Sequence, residues 1–493
     1  MNAILTLAEL LPEAASGAAG ALPVRGLALD TRELRPGDVF LALQGAREHG
    51  LRHLPSAIER GASAVLVEQP WPAELPQHAG VPLIGVDRLR ARAGELADRV
   101  YAAPSAALDV VGVTGTNGKT STVQFIAQAS ELLGVRAATQ GTLGAGPVGA
   151  LQAHERTTPD VCATHRFLAA MRAQGCTLAA MEVSSHAPDQ GRVDGVRFAV
   201  AVFTQLTRDH LDYHGTMEAY FAAKARLFAW PALRAAVINI DCPWGRRLPA
   251  QTHPGAALYT YSARADAEAR VAAEAVQLDH EGLRFTLRCD GERHPVRTRL
   301  LGRFNVDNAL AAAASLIALG HSPAAAAAAL AGVDPVQGRM NRLGGGSDPL
   351  VVVDYAHTPD AIEKALLALR EHAPTRLSVV FGCGGERDRG KRPQMAAAAE
   401  AGADRVYLTD DNPRSEDGDQ IVADVLPGFA YPERVQVLRD RRQAIAAAIA
   451  AARAGEIVLI AGKGHEPYQE IAGQKLPFDD RRVAAECLAR RAA

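Results

Sequence analysis

Apolar runs that end in short polar clusters recur along the whole chain. In the first hundred residues the runs are short and are separated by Pro and Gly, which is typical of strands joined by turns. Further along, longer apolar runs alternate with segments of helical period, which indicates a mostly parallel sheet covered by helices. The predicted strands are Leu27–Leu29, Asp38–Leu43, Ala64–Val67, Val110–Val113, Ala179–Met181, Phe198–Phe203, Ala235–Ile238, Leu350–Val353, Leu377–Phe381, Val406–Leu408 and Ile457–Ile460.

Length and pattern together predict an α/β protein of three domains. A chain of 493 residues exceeds what a single hydrophobic core usually organises. We expect domains over residues 1–100, 101–335 and 336–493, the last built from repeated units of strand, loop and helix. Two further segments, 121–133 and 323–330, are predicted to be helical.

The turn Gly115–Thr120 points most clearly to a specific chemistry. It follows the apolar run 110–113 and reads Gly-Thr-Asn-Gly-Lys-Thr before a helix begins. Glycines let backbone N–H groups face a phosphate, the helix N-terminus adds positive dipole, Lys119 reaches the phosphates and Thr120 can hold Mg²⁺. The strict motif has Gly where this chain has Val113, and an ordinary strand-to-helix turn is the alternative. Nucleotide binding is the better explanation.

In the last third of the chain, polar clusters follow four of the predicted strands. The carboxyl ends of strands in an open parallel sheet line one crevice, where ligands bind. One such cluster could be a solvated loop, but four in register indicate a ligand site. The clusters are Asp354–His357, Gly384–Arg387, Asp410–Arg414 and Gly462–Glu466.

A further group of polar residues follows the strands of the central domain. Glu182 ends the run 179–181, and Asp209–His214 follows the run 198–203 with many oxygen and imidazole groups. These donors suit a divalent metal, and the lack of nearby thiolates disfavours zinc. A strand-end Glu taken alone is usually structural or solvated.

Lys224 interrupts the apolar face of the helix that follows. Its companions on that face are Met217, Tyr220, Phe221, Leu227 and Phe228. A lysine at the edge of the core, with its amine reaching solvent, is the commonest explanation of such a position. The chain, however, has only six lysines among 53 basic residues, so a buried amine suggests a chemical task. Burial favours the neutral amine, which can react with CO₂ to give a carbamate, an anionic metal ligand.

Composition narrows the class of protein. The chain is 48% hydrophobic and 22% charged, as folded globular proteins are. A formal net charge of −2 gives no electrostatic reason to expect nucleic acid or an anionic membrane as partner. Six cysteines without Cys-x-x-Cys spacing fit a reducing compartment, and the N-terminus lacks the basic segment of a signal peptide. We expect a cytoplasmic monomer without membrane insertion.

Taken in order, these motifs resemble those of the Mur ligases, ATP-dependent enzymes that form amide bonds in peptidoglycan precursors. The resemblance covers all three predicted domains and rests on Gly115–Thr120, Glu182–His186, Asp209–His214, Lys224, Gly302–Asn308, Gly338–Met340, Asp354–Pro359 and Gly462–Glu466. Within the family, Leu29–Arg32 and Pro36–Phe40 look like the uridine-binding domain of ligases that add the third or fifth residue. Asp411–Arg414 points to the third-residue enzyme, which uses meso-diaminopimelate. The implied architecture is a small uridine-binding α/β domain, a central P-loop-type domain with a mostly parallel sheet, and a Rossmann-like C-terminal domain.

The resemblance also implies which residues form the sites. ATP contacts are expected from Gly115, Thr116, Asn117, Gly118, Lys119, Thr120, Ser121, Asn308, Arg339 and Asp354. Contacts to the UDP-linked substrate are expected from Leu29, Thr31, Ala46, Arg47, Glu48, Thr157, Thr158, Ser184, Gln190 and Arg192. Diaminopimelate contacts are expected from Arg387, Asp411, Asn412, Pro413, Arg414, Gly462 and Glu466. Arg156 and Gly191 depart from the family pattern next to the peptide contacts.

The implied activity is the addition of meso-diaminopimelate to UDP-N-acetylmuramoyl-L-alanyl-D-glutamate through an acyl phosphate. Lys119, Glu182, His210 and Lys224 are the implied catalytic residues. One Mg²⁺ is expected at Thr120 and Glu182, and another at His210 and carbamylated Lys224. The alternatives are a lysine-adding or dipeptide-adding Mur ligase, a folylpolyglutamate synthetase and a nucleotide-dependent binding switch or pseudoenzyme.

Overall fold

The structure, a computed structural model, describes residues 4–15, 17–45, 48–71, 74, 76 and 80–491. Contacts between Cα atoms group the chain into two compact units. Unit 1 holds Met1–Ala272 and Leu310–Ala329, and unit 2 holds Ala273–Ala309 and Leu330–Ala493. In the described part of the chain, no helix combines the length and the apolar character needed to cross a membrane.

The N-terminal part of unit 1 is a small α/β layer. Its four strands pair in chain order and in parallel. They are β1 (Leu27–Ala28), β2 (Val39–Ala42), β3 (Ala64–Glu68) and β4 (Leu83–Val86). The helices are α1 (Leu7–Leu10), α2 (Gly17–Gly20), α3 (Leu54–Glu59) and α4 (Leu89–Val100). Burial of β2 on both faces explains why its sequence is a continuous apolar run.

The rest of unit 1 is built on a larger sheet. Its strands are β5 (Asp109–Thr114), β6 (Ala137–Gly141), β7 (Gly144–Pro147), β8 (Leu178–Glu182), β9 (Val200–Phe203), β10 (Ala235–Asn239) and β11 (Ala257–Ser262). The order is β11-β10-β9-β5-β8-β6-β7, parallel except for the hairpin β6–β7. The helices are α5 (Lys119–Leu132), α6 (Val161–Ala173), α7 (His186–Asp189), α8 (Leu211–His214) and α9 (Met217–Ala225). Since β5 lies between β9 and β8, the loop after β5 opens at the middle of the sheet edge.

Three strands and two helices follow before the C-terminal sheet. They are β12 (Val271–Asp279), β13 (Gly282–Cys289), β14 (Glu292–Thr298), α10 (Phe304–Ala318) and α11 (Pro323–Ala331). Strands β13 and β14 pair antiparallel within unit 2, and buried and less buried positions alternate along β13. The sequence-based strands do not include this hairpin, although the alternation of Leu283, Phe285, Leu287 and Cys289 with polar residues is typical of a half-buried strand.

The C-terminal part of unit 2 repeats strand and helix around a second sheet. Its strands are β15 (Asn341–Gly344), β16 (Leu350–Asp354), β17 (Leu377–Phe381), β18 (Arg405–Leu408), β19 (Gln436–Val437) and β20 (Ile457–Ala461), with the separate hairpin β21 (Tyr468–Ile471) and β22 (Gln474–Pro477). The order is β15-β16-β20-β17-β18-β19, parallel except for β15. The helices are α12 (Pro359–Arg370), α13 (Lys391–Gly402), α14 (Gly418–Val425), α15 (Arg441–Ala451) and α16 (Asp480–Arg491). The four predicted strands of this region are neighbours, so their polar ends meet at one edge of the sheet.

Candidate functional site

The loop between β5 and α5 has the backbone of a phosphate cradle. Gly118 precedes the helix with φ of 87°, a conformation that favours glycine. A Cβ on Gly115 would lie 1.9 Å from Thr204 Oγ1, so glycine is required there by a close approach. Lys119 Nζ donates hydrogen bonds to the carbonyl oxygens of Gly115 and Thr116, both at 2.9 Å, which places its amine over the loop. The predicted strand, turn and helix are confirmed.

Glu182 ends β8 beside this loop and is almost fully buried. Its Oε1 accepts a hydrogen bond from Thr142 N at 2.8 Å, and the Thr120 hydroxyl also bonds to the carboxylate. Burial raises the pKa of Glu182, and the nearby Lys119 ammonium opposes that rise. A carboxylate and a hydroxyl at a phosphate cradle are donors that Mg²⁺ accepts together with substrate phosphates. The pair of Thr120 and Glu182 therefore fits a magnesium ion, although within the described residues no three His, Cys, Asp or Glu side chains are grouped to hold a metal.

Lys224 lies on the buried face of α9 and is 2% exposed. Its Nζ donates to Gly115 O at 2.9 Å and stands 4.5 Å from the centroid of the Tyr220 ring. Burial, together with the charge of Lys119, lowers the pKa of Lys224 well below its usual range. The structure thus places this amine at the phosphate loop and favours its neutral form.

His210 neighbours the same tyrosine ring. Its ring lies 6.1 Å from that of Tyr220 and 5.1 Å from that of His186, and its Nε2 is 3.5 Å from Asp209 Oδ2. An imidazole nitrogen can ligate a metal, whereas Mg²⁺ prefers oxygen ligands and an amine supplies none, whether it is neutral or protonated. The pair of His210 and Lys224 therefore fits a second magnesium ion only if Lys224 is modified to carry oxygen atoms.

The residues expected to hold the peptide substrate converge on Glu182. Thr158 Oγ1 donates to the Glu182 carbonyl at 2.8 Å and accepts from Ser184 N at 3.1 Å. Arg192 donates to the Thr158 carbonyl at 2.8 Å and to Gln190 Oε1 at 2.6 Å. The hydroxyl of Thr157 lies 3.2 Å from that of Thr142, which in turn donates to Glu182 Oε2 at 3.3 Å. The structure brings these five residues together.

The described uridine-binding candidates lie after β1 and, for Glu48, after β2. Thr31 begins a short 3₁₀ turn that the Asp30 side chain caps, and Leu29 precedes it. Arg32 pairs with Asp30 at 2.6 Å and with Glu155 at 3.4 Å, which links this turn to the peptide-binding candidates. Glu48 pairs with His53 at 3.3 Å. Ala46 and Arg47 lie outside the described residues.

Three further ATP candidates belong to unit 2, whereas the phosphate loop belongs to unit 1. Asp354 accepts hydrogen bonds from the backbone of Met340 and Ala356, both at 2.9 Å, and burial raises its pKa. The Arg339 guanidinium lies 5.7 Å from the ring of Tyr355. Asn308 Nδ2 donates to Asn305 Oδ1 at 2.9 Å.

The strand ends of unit 2 surround a cavity of about 300 Å³, which is hereafter the strand-end cavity. It is lined by Tyr355, His357, Thr358, Gly382, Gly384, Arg387, Lys391, Asp411, Asn412, Arg414, Gly462 and Glu466. Every diaminopimelate candidate except Pro413 is on this wall, and all four predicted clusters contribute to it. The expectation that the clusters meet is confirmed.

One wall of the strand-end cavity is held by a buried lysine. Lys463 is 0% exposed, and its Nζ lies 2.9 Å from Asn412 Oδ1, 3.3 Å from Glu466 Oε2 and 3.8 Å from Asp411 Oδ1. Asn412 Nδ2 in turn donates to Glu466 Oε2 at 3.0 Å. A Cβ on Gly462 would lie 2.4 Å from Asp411 Oδ2, so glycine lets that carboxylate approach the backbone. Burial raises the pKa of Asp411.

Two arginines, Arg414 and Arg387, bring positive charge to the strand-end cavity opposite in sign to the carboxylates of Asp411 and Glu466. Arg414 has φ of 57°, and its guanidinium donates to Gly385 O at 2.6 Å and lies 3.6 Å from Glu470 Oε2. Arg387 lines the same cavity and forms no ion pair with any carboxylate of the described residues. The strand-end cavity therefore offers guanidinium groups and carboxylates to one ligand.

Two lysines of this region were given no role in the sequence analysis, although Lys463 lies within the predicted cluster Gly462–Glu466. Lys463 organises the cavity wall, and Lys391, which lines the cavity, donates to His357 O at 3.0 Å. The scarcity of lysine in the chain was the available signal, since four of the six lysines now lie at the phosphate loop or the strand-end cavity.

Comparison with known proteins agrees with this geometry. The family model described as Mur ligase family, catalytic domain, matches residues 23–101, the Mur ligase middle domain matches 113–316, and the Mur ligase glutamate ligase domain matches 338–464. The chain belongs to the Mur ligase family. The expected architecture of three α/β domains, a known feature of Mur ligases, is confirmed.

Similar Mur ligases match over nearly the whole chain. A protein of Xanthomonas campestris pv. campestris is 57% identical over 489 residues, covering 99% of this chain and 98% of its own. A protein of Pseudomonas aeruginosa is 50% identical over 485 residues, covering 98% of each. Both are named UDP-N-acetylmuramoyl-L-alanyl-D-glutamate–2,6-diaminopimelate ligase.

Solved structures support the same fold. A structure of a ligase of that name superposes with a TM-score of 0.79 at 36% identity and covers 100% of both chains. MurF from Acinetobacter baumannii superposes with a TM-score of 0.68 at 17% identity, which shows the Mur ligase fold alone.

Proposed function

We propose that this chain is an ATP-dependent, ADP-forming ligase that joins meso-diaminopimelate to UDP-N-acetylmuramoyl-L-alanyl-D-glutamate in peptidoglycan precursor synthesis. The strand-end cavity carries this proposal, because it places carboxylates and guanidinium groups around one ligand site. The names of relatives at 50–57% identity support it. We further propose a uridine-binding domain over 1–100, an ATP-binding domain over 101–335 and an amino-acid-binding domain over 336–493 of a cytoplasmic monomer.

Diaminopimelate matches the strand-end cavity in charge. Unlike lysine, it carries a carboxylate at both ends, so a selective site needs cationic groups for two anions. Arg414 and Arg387 supply planar guanidinium groups that bind carboxylates through paired hydrogen bonds. Asp411 and Glu466 supply acceptors for ammonium groups. Lysine would leave one guanidinium without its anion, which a polar site resists.

ATP held at the phosphate loop would drive the reaction. The γ-phosphoryl group of ATP moves to an oxygen of the substrate carboxylate, which gives an acyl phosphate and ADP. The incoming amine then attacks the carbonyl carbon, the tetrahedral intermediate expels phosphate, and the nitrogen loses a proton. Phosphoryl transfer depends mainly on alignment and charge neutralisation. Lys119 neutralises charge on the phosphates, and a magnesium ion held by Thr120 and Glu182 would supply further positive charge there.

Lys224 is proposed to act as a carbamate. Its neutral nitrogen bonds to the carbon of CO₂ and releases a proton, which converts the amine into an anion. The anion, with His210, would be the ligand pair for a second magnesium ion. Three features support this proposal: the burial of the amine, its position at Gly115 O and the lack of a carboxylate within 4.0 Å of it among the described residues.

A panel of amino acids tests the proposed function. The protein is mixed with ATP, magnesium and the UDP-linked dipeptide substrate, and the products are identified by mass. We expect a product with meso-diaminopimelate and a value of kcat/KM about 10⁴-fold lower with L-lysine. Comparable values for the two amino acids would refute the choice of substrate. Phosphate release that needs neither amino acid nor peptide substrate would refute the ligase itself and favour a nucleotide switch.

A further inference from the structure

A second cavity of unit 2 shares no lining residue with the strand-end cavity. It measures about 310 Å³ and is formed by the end of β14, the turn between β12 and β13, and strand β15. Its lining residues are Glu281, Arg297, Thr298, Arg299 and Arg342. Three of these five side chains are guanidinium groups, so we call it the arginine cavity.

Arg342 is the fixed part of the arginine cavity. From β15 it donates to Glu281 O at 2.6 Å and to His280 O at 3.4 Å, which ties the β12–β13 turn to this strand. Its Nε is buried and has no acceptor among the described residues. Burial and the charge of Arg299 lower the pKa of Arg342. The Nε–H of Arg342 is therefore a donor without an acceptor among the described residues, at a place where the guanidinium groups of Arg342 and Arg299 repel each other.

Carboxylates near the arginine cavity do not balance its charge. Glu281 pairs with Arg297 and also with Arg284, at 3.0 Å from the latter. Asp279 pairs with Arg284, also at 3.0 Å, and is not a lining residue of the cavity. Among the described residues, neither Arg299 nor Arg342 has a carboxylate within 4.0 Å. Three guanidinium groups against the single carboxylate of Glu281 leave the lining with an excess of positive charge, which Glu281 and Asp279 offset only in part at Arg342.

We propose that the arginine cavity binds an oxyanion ligand that bears one or two phosphate groups. Guanidinium groups bind phosphate oxygens through paired, charge-assisted hydrogen bonds, and the open Nε of Arg342 provides one such donor. The volume lies near the lower end of the range of about 300–1,000 Å³ found for small-molecule sites, which suits a compact ligand. Bound there, the anion would join β14 to β15 by contacting Arg299 and Arg342.

Free inorganic phosphate compounds and nucleoside diphosphates share this chemistry, and calorimetry distinguishes them. One titration uses ADP alone, to count nucleotides per chain. The other uses inorganic pyrophosphate in the presence of saturating ADP, which fills the phosphate loop; both omit magnesium. Two ADP per chain would identify a nucleotide as the occupant. One ADP with additional pyrophosphate binding would identify a free oxyanion.

Variants assign the extra binding to the arginine cavity. Arg299 is exposed, so Arg299→Ala should fold normally, and it should weaken the extra binding about tenfold or more through loss of a charged donor. Arg293→Ala is the matched control, because Arg293 is an exposed arginine of β14, the strand that Arg299 directly follows, and pairs with Glu274 instead. It should bind like the unmodified chain. The proposal is overturned if ADP binds once with no additional pyrophosphate, or if Arg299→Ala leaves the extra binding unchanged.

Discussion

Lys224 in unit 1 and Lys463 in unit 2 are both buried, at 2% and 0% exposure, but their surroundings are opposite. Lys224 meets one carbonyl oxygen, an aromatic ring and the like charge of Lys119. Lys463 meets two carboxylates and an amide oxygen within 4.0 Å. Burial of a cation is costly unless an anion accompanies it. The first site therefore favours a neutral, reactive amine, and the second supports a structural cation that orients the cavity wall.

The largest expected effect is on catalysis at the first lysine. Lys224→Ala should lower kcat by about 10³-fold, the usual cost of removing a group that stabilises charge at the reacting centre. A short-chain carboxylic acid in the buffer should partly restore the rate by replacing the missing anion. Lys364→Ala is the control, because Lys364 is exposed and, among the described residues, pairs with Asp360 alone, and it should keep full activity. If Lys224→Ala kept activity within tenfold of the unmodified protein, the assignment of a reactive amine to Lys224 would be wrong.

Replacing each of the two lysines by Met should change the free energy of unfolding in different directions. Lys463→Met removes the cation from between Asp411 and Glu466 and should lower the free energy of unfolding by about 3 kcal/mol, as breaking a buried ion pair does. Lys224→Met removes an amine with no anionic partner and should leave that free energy unchanged or raise it. Denaturant unfolding measures both. Equal losses in the two variants would show that the surroundings do not distinguish them.

The strand-end cavity, whose wall Lys463 supports, should bind diaminopimelate and not ATP. Arg414→Ala should raise KM for diaminopimelate about tenfold or more, because a charge-assisted contact to a carboxylate is lost, with KM for ATP unchanged. Arg434→Ala, a change at an exposed arginine outside the strand-end cavity, is the control and should alter neither constant. A parallel rise in both KM values for Arg414→Ala would mean that the cavity is not specific to the amino acid.

A further buried basic side chain, His372, should make the stability of the protein depend on pH. His372 Nε2 accepts from Gly302 N at 2.8 Å, and its Nδ1 donates to Asp279 O at 2.6 Å. Burial lowers the pKa of His372, and the charge of Arg342 lowers it further. Asp279 and Glu371 raise the pKa, but their effect is outweighed. The unfolded chain therefore binds the proton more readily, so stability is complete above about pH 6.5 and falls below it.

The loss should amount to about 1 kcal/mol, because protonation removes the acceptor of a buried hydrogen bond. Unfolding at a series of pH values measures it, with His372→Gln as a side chain that does not titrate. The variant should show a smaller drop between pH 7 and pH 5. Identical pH profiles would exclude His372 as the source.

The sequence predicts local elements well where two kinds of signal, such as turn residues and apolar periodicity, agree. The strand, glycine turn and helix around Gly115–Thr120 are confirmed because turn residues and apolar periodicity agree there. The meeting of four strand ends in unit 2 is confirmed because parallel topology constrains where polar clusters can lie. The hairpin β13–β14 was not predicted, because the prediction relied on continuous apolar runs, whereas apolar and polar residues alternate along β13.

Side-chain partners were less predictable than positions. Apolar periodicity placed Lys224 on a buried face, but only the structure shows that no carboxylate of the described residues accompanies it. Lys463 has the opposite partners, yet it stands in a short Gly-Lys-Gly segment without periodicity. Arg414 was expected to contact diaminopimelate, and the structure adds its contacts to Gly385 and Glu470.

The difference between the two lysines is tested most directly by ¹³C NMR of the protein equilibrated with ¹³C-labelled bicarbonate, magnesium and ADP. Lys224 should give one carbamate signal, which is absent in Lys224→Ala and present in Lys364→Ala. Lys463 should give none, because carboxylates surround its amine. A spectrum without a carbamate that depends on Lys224, or with one that depends on Lys463, would contradict the assignment of a reactive amine to the first site and a structural cation to the second.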